Sequence, residues 1–186
     1  LYFLAKAGVK AVCMAPDIDQ YHVINHQGND VEEGQRRHVL TEAARIARGD
    51  IQAVASVSAN DIDALIVPGG FGVVKNLCDF AIKGNRCEVL TQVESLIREL
   101  HQQGKPQGFL CIAPVLAASV LPGVRVTIGN DPQTAQAIQN FEGAHQDAEV
   151  GDIVIDDDYK VVSTPAYMLG PGIADIAVGI EKCVNQ

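Results

Sequence analysis

The chain reads as an α/β protein, a three-layer α/β/α sandwich of the flavodoxin-like type around a mostly parallel sheet. Three observations predict this. Short apolar runs alternate with segments whose apolar residues recur at helical spacing. The runs, such as Ala64 to Val67, are apolar at successive positions, which marks strands covered on both faces. Glycine or proline punctuates the alternation, as at Pro68-Gly69-Gly70 and Gly104-Lys105-Pro106, and no repeat or low-complexity tract breaks it.

The elements follow in order. Leu1 to Gly8 reads as the end of an amphipathic helix stopped by glycine. Lys10 to Ala15 is a short apolar run closed by Pro16-Asp17 and predicts a buried strand. His22 to His26, followed by Gln27-Gly28-Asn29-Asp30, predicts a small hairpin. Val39, Leu40, Ala43, Ala44, Ile46 and Ala47 recur at helical spacing, and Gly49 ends that helix. Ala64 to Val67 is a strand that runs into the loop Pro68-Gly69-Gly70-Phe71-Gly72 and then a helix. Val89, Val93, Leu96, Ile97 and Leu100 mark the next helix. Gly108 to Cys111 is a strand, followed at once by Ile112-Ala113-Pro114 and an alanine-rich helix to Leu121. A strand at Arg125 to Ile128, a helix at Thr134 to Phe141, a hairpin of Ile153–Ile155 with Lys160–Ser163, and a helix from Ile173 to Val184 complete the chain.

The 186 residues suit a single domain spanning 1–186. Apolar residues make up 47% and charged residues 20%, the balance of a globular protein. No apolar run reaches the ~20 residues that cross a bilayer. With 23 acidic against 14 basic residues the net charge is −9, which repels nucleic acid and anionic lipid, so neither a nucleic-acid nor a membrane partner is expected. The five cysteines (Cys13, Cys78, Cys87, Cys111, Cys183) are scattered and form no C-x-x-C pair. That pattern predicts a reducing compartment, and neither a disulfide framework nor a structural metal site.

Chemistry in an open α/β sheet gathers at the carboxyl ends of strands. Two such ends stand out, the Pro68–Gly72 loop and Gly108-Phe109-Leu110-Cys111-Ile112-Ala113-Pro114. At the second, the chain turns from strand to helix at Cys111 itself, with small neighbours and with Pro114 pre-set for a first helical turn. This is the pattern of a nucleophile elbow. Cysteine suits it, because free N–H groups and the dipole at a helix start favour a thiolate. The N–H groups of Ile112 and Gly70 are then candidate oxyanion-hole donors, glycine allowing the close approach. Gly69, Phe71, Asn76, Pro114 and Thr164 are candidate pocket residues. Cys13, Cys78, Cys87 and Cys183 lack such neighbours and are expected to be structural.

The motifs PGGFG (Pro68–Gly72), Lys75-Asn76-Leu77, Gly104-Lys105-Pro106, GFLCIAP (Gly108–Pro114) and TPAYM (Thr164–Met168) occur in this order over nearly the whole chain, and with them the sequence resembles the ElbB group. That group lies in the ThiJ/PfpI branch of the class I glutamine amidotransferase-like superfamily and carries an old link to isoprenoid biosynthesis. The resemblance implies a cofactor-independent glyoxalase that turns glyoxal into glycolate, with Cys111 as nucleophile, a small aldehyde as substrate and a homodimer as assembly. It also implies a cytoplasmic location, or a mitochondrial one in a eukaryote. The acid/base partner in the group is a glutamate in a glycine-rich segment after the first strand, and that strand and helix are expected to lie upstream of Leu1. Two departures matter. Aldehyde-processing relatives carry a histidine near the position of Gly129, where this chain reads Arg125-Val126-Thr127-Ile128-Gly129-Asn130. Glutaminases place a histidine and glutamate where this chain reads Thr164-Pro165-Ala166-Tyr167-Met168, so glutamine hydrolysis is not expected. A deglycase sharing the hemithioacetal step, and a non-catalytic redox or metabolite sensor using Cys111, are the alternatives.

Other polar residues have simpler readings. His22 and His26 are four apart on an extended segment, which does not bring both rings to one side of a helix as metal ligands. Lys75 and Asn76 stand just past the glycine loop and could hold a carbonyl or carboxylate. Glu42 and Arg45 suggest a surface ion pair. His38, His101 and His145 read as surface residues. Asp156-Asp157-Asp158 lacks the downstream glutamate of a calcium loop and reads as a polar turn.

Overall fold

A computed structural model describes residues 1–186. The central sheet has strand order β5 (Leu65–Val67), β6 (Gln107–Leu110), β10 (Val161–Thr164), β9 (Val154–Asp156). The first three are parallel and β9 runs antiparallel at the edge, so the expected mostly parallel sheet is present. Side chains alternate across it with the strand period of two. Leu65, Val67, Phe109 and Val161 face a large core completed by α4 (Thr91–Gln102) and α5 (Pro114–Val120). Leu110 and Val162 face α7 (Ile173–Val184) and its Cys183 on the other side. Gly108 lies on that second face, where an added Cβ would meet Cys183 Sγ at 3.2 Å and Ile66 at 3.3 Å. Helices thus cover both faces, the three-layer arrangement.

Two flanking pairs extend the architecture. β1 (Met14–Ala15) pairs in parallel with β4 (Gln52–Ala53), and β7 (Arg125–Val126) with β8 (Ala144–His145). The hairpin is β2 (Ile24–Asn25) with β3 (Asp30–Val31), antiparallel. The remaining helices are α1 (Tyr2–Lys6), α2 (Val39–Ala47), α3 (Phe80–Lys83) and α6 (Pro132–Asn140).

Several boundaries differ from the sequence expectation for physical reasons. The strand expected over Lys10–Ala15 keeps only Met14–Ala15, because β4, its partner, offers just two paired residues. The strand expected over Arg125–Ile128 stops at Val126, because side chains then replace the ladder. Thr127 N–H donates to Ser163 Oγ at 2.9 Å, and Ile128 N–H reaches His145 Nε2 at 3.4 Å. The helix expected from Thr134 begins two residues earlier. Asp131 caps it, accepting from Thr134 N–H at 2.8 Å and Thr134 Oγ1 at 2.6 Å, with Pro132 at the first helical position. After the glycine loop the chain forms a π-helical turn, Val73–Leu77, before α3.

Candidate active site

Cys111 sits at the tip of β6 with φ +60°, one of six non-glycine residues of the chain in the left-handed region. A side chain there costs about 1–2 kcal/mol relative to glycine, so the surroundings must hold it. They do so from both directions. Cys111 N–H donates to the Thr164 carbonyl at 3.0 Å, prolonging the β6–β10 ladder by one rung. Ala113 N–H then folds back on the Leu110 carbonyl at 3.0 Å, and Val115 N–H on that of Ile112 at 3.1 Å. The turn leads directly into α5, whose Pro114, Val115, Leu116, Ala117, Ala118 and Val120 are all buried. A buried helix behind and a ladder bond in front fix the elbow and leave the Cys111 side chain half-buried at the sheet edge.

The glycine loop is packed onto this tip. A Cβ on Gly69 would overlap Cys111 Cβ and lie 2.8 Å from the Leu110 carbonyl and 3.0 Å from Cys111 Sγ. Gly69 therefore has no room for a side chain. Gly70 follows with φ +102°, and Val73 N–H closes the loop on the Gly70 carbonyl at 3.1 Å. The N–H groups of Gly70 and Ile112 donate to no protein acceptor. On the opposite flank, Ala166 follows β10 with φ +45°. Three adjacent strand ends thus turn sharply at one edge of the sheet, at Gly70, Cys111 and Ala166.

The other candidate pocket residues take different places. Phe71 projects from the loop, 77% exposed. Pro114 is buried at the start of α5. Thr164 supplies its carbonyl to Cys111 N–H, but its hydroxyl donates to the Asp152 carbonyl at 2.8 Å and packs against Gly179, so it is anchored on the α7 side. Asn76 Oδ1 accepts the Tyr21 N–H at 2.9 Å and ties the segment before the hairpin to the π-turn. That tie brings in His22, which sequence spacing alone did not connect to the loop. Lys75 Nζ lies 3.2 Å from His22 Nδ1 and 5.4 Å from the centre of the Phe71 ring. A lysine ammonium has only donors, so His22 Nδ1 is the acceptor and the ring proton is on Nε2.

The remaining polar residues resolve as follows. His26 is exposed and lines a groove with Asn25, Glu32, Gln35 and Arg37, away from the elbow. No group of three or more His, Cys, Asp or Glu side chains converges as metal ligands would. His145, expected at the surface, has a side chain only 4% exposed, and burial lowers its pKa. The β7–β8 pairing carries it beside Ile128, next to Gly129, a neighbourhood invisible without strand register. His101 stacks on Tyr159 with ring centres 5.0 Å apart. Glu42 and Arg45 form the expected ion pair at 2.8 Å. Asp156 is a buried acceptor for the Arg125, Asp158 and Tyr159 N–H groups, a structural turn. Burial pushes the Cys78 and Cys183 thiols up to about 12 and raises Cys87 as well.

No family model matches the sequence. Curated relatives match along its whole length. Human "glutamine amidotransferase-like class 1 domain-containing protein 3, mitochondrial" is 45% identical over 195 aligned positions, covering 100% of this chain and 73% of the relative. The rat "ES1 protein homolog, mitochondrial" is 41% identical with the same coverage. Among solved structures, the "isoprenoid biosynthesis protein with amidotransferase-like domain" of Ehrlichia chaffeensis superposes with a TM-score of 0.91 at 29% identity, over 99% of this chain and 84% of that one. Identity at this level across the full chain, together with the α/β fold and the elbow, leads to one conclusion: the chain belongs to the ES1-type family of class I glutamine amidotransferase-like proteins.

Proposed function

We propose that the protein is a cofactor-independent glyoxalase that converts glyoxal to glycolate through Cys111. The observation that carries this reading is the joint geometry of Cys111 and Gly69-Gly70. The sulfur is displayed on a left-handed elbow against Gly69, which has no side chain, and the Ile112 and Gly70 N–H groups are uncommitted. Membership of a superfamily that includes glyoxalases supports it.

The chemistry balances without an external oxidant. The Cys111 sulfur adds to one aldehyde carbon, and the two amides receive the developing alkoxide. A base then removes the hydrogen from that carbon and a proton is returned to the second one. The first carbon rises to the thioester level while the second becomes an alcohol. Water cleaves the thioester, giving glycolate and the free thiol. The base is the role that the family resemblance gives to a glutamate from the N-terminal half of the fold. The mitochondrial designations of the human and rat relatives support the same location for this chain.

The test is incubation of the full-length protein with glyoxal, with glycolate followed by NMR beside a Cys111→Ala control. Glycolate from the wild type and none above background from the variant is the expected result. Equal behaviour of the two removes the glyoxalase reading.

A further inference from the structure

Beside the glycine loop that packs on Cys111 lies a cation without a counter-ion. Lys75 is half-buried and forms no salt bridge, although acidic residues outnumber basic ones by 23 to 14. Its position is determined on two sides. His22 Nδ1 lies 3.2 Å from its Nζ, and the Phe71 ring lies under the ammonium at 5.4 Å. The Phe71 contact holds the charge beside the glycine loop, since Phe71 immediately follows Gly70. The partner segment is itself held, by the Tyr21 N–H bond to Asn76 and by edge-to-face packing of Tyr21 on His22, ring centres 4.6 Å apart.

A half-buried, oriented cation with spare donors and no carboxylate partner is the chemistry of anion recognition. Neither histidine nor phenylalanine neutralises it. Both leave its charge whole while fixing its place.

We propose that Lys75, positioned by His22 and Phe71, forms a carboxylate-binding subsite at the mouth of the Cys111 site, so that the preferred carbonyl compounds carry a carboxylate. The inference deepens the reading of Cys111 as a carbonyl-reactive nucleophile and rests on it. Bare glyoxal then uses only the Cys111, Gly70 and Ile112 end of the site, whereas an oxo acid or carboxylated aldehyde spans both ends.

Alkylation of Cys111 tests this without requiring turnover. The full-length protein is treated with iodoacetate, an anion, or iodoacetamide, its neutral analogue, and modification of the Cys111 peptide is timed by mass spectrometry. The Cys13 peptide in the same digest is the internal reference for the acidic field of the whole protein. In each reaction the sulfur displaces iodide, so charge on the reagent is the variable of interest. The wild type is expected to show an iodoacetate-to-iodoacetamide rate ratio at Cys111 about fivefold above that of Lys75→Met, and Lys75→Arg to keep most of it. Circular dichroism confirms that the variants fold. An unchanged ratio in Lys75→Met overturns the subsite, and so does equal loss in both variants, which marks a shape effect instead of a charge effect. If Cys111 resists both reagents, the nucleophile reading falls and the subsite with it. If the anion preference is present but glyoxal yields no glycolate, the subsite stands and the glyoxalase reading alone fails.

Discussion

Gly69 lies so close to Cys111 that any side chain at position 69 would overlap the cysteine Cβ and reach to 3.0 Å from its sulfur. The contact joins two neighbouring strand ends, one following β5 and one following β6. It makes the loop part of the setting of Cys111 rather than a simple connection.

Gly69→Ala therefore has to move either the loop or the elbow. Neither neighbour is the free end of a flexible side chain, since Cys111 Cβ and the Leu110 carbonyl are held by the backbone. Overpacking of this kind costs about 1–3 kcal/mol. The expected outcome is a lower midpoint of chemical denaturation together with a changed rate of Cys111 alkylation. A variant with wild-type values on both measures would show that the loop is not seated on the cysteine.

The φ of +60° at Cys111 gives a second expectation. Alanine retains the Cβ that makes the left-handed region costly, and glycine does not. Both variants remove the sulfur, so their difference isolates the backbone term. Cys111→Gly is expected to exceed Cys111→Ala in stability by about 1 kcal/mol in urea denaturation. Equal stabilities would mean that the elbow relaxes once the thiol is gone.

The elbow was legible in the sequence because its signals are local. Small residues, Pro114 and an apolar run ending in cysteine lie within seven positions, and the Pro68–Gly72 loop announces itself in the same way. Helix α7, expected from about Ile173 to Val184, was readable for a similar reason, its signal lying within one short segment. What the sequence concealed depends on register between distant segments. His145 reads as a surface residue until β7 and β8 pair and carry it beside Ile128. His22 reads as a hairpin residue until Asn76 binds the Tyr21 N–H across 55 positions. Thr164 was legible as a neighbour of Cys111, but strand alternation decides which side its hydroxyl faces, and that hydroxyl is bound to Asp152.

Thiol reactivity should separate Cys111 from the buried cysteines. Burial pushes Cys78 and Cys183 up to about 12, which leaves roughly one thiolate in ten thousand at pH 8. Cys87 is shifted in the same direction. A brief treatment of the native protein with a neutral alkylating reagent is expected to modify the Cys111 peptide well before those of Cys78 and Cys183. Simultaneous modification of all three would show that the two cores open on the time scale of the reaction.

His145 gives a dependence of stability on pH. Its side chain on β8 is buried beside the Ile128 N–H, and desolvation lowers its pKa below the ordinary imidazole value of 6.5, with Asp147 at 3.5 Å partly opposing the shift. In the interval between the lowered folded pKa and 6.5, the unfolded chain binds a proton that the folded chain does not. Stability from this group is therefore complete above pH 6.5 and is lost as the pH falls through the folded value. His145→Gln retains an acceptor for the Ile128 N–H but does not titrate. Denaturation midpoints measured from pH 7.5 to pH 5 are expected to fall less steeply for the variant than for the wild type. Parallel slopes would mean that the imidazole charges in place without cost, and that Asp147 compensates its burial in full.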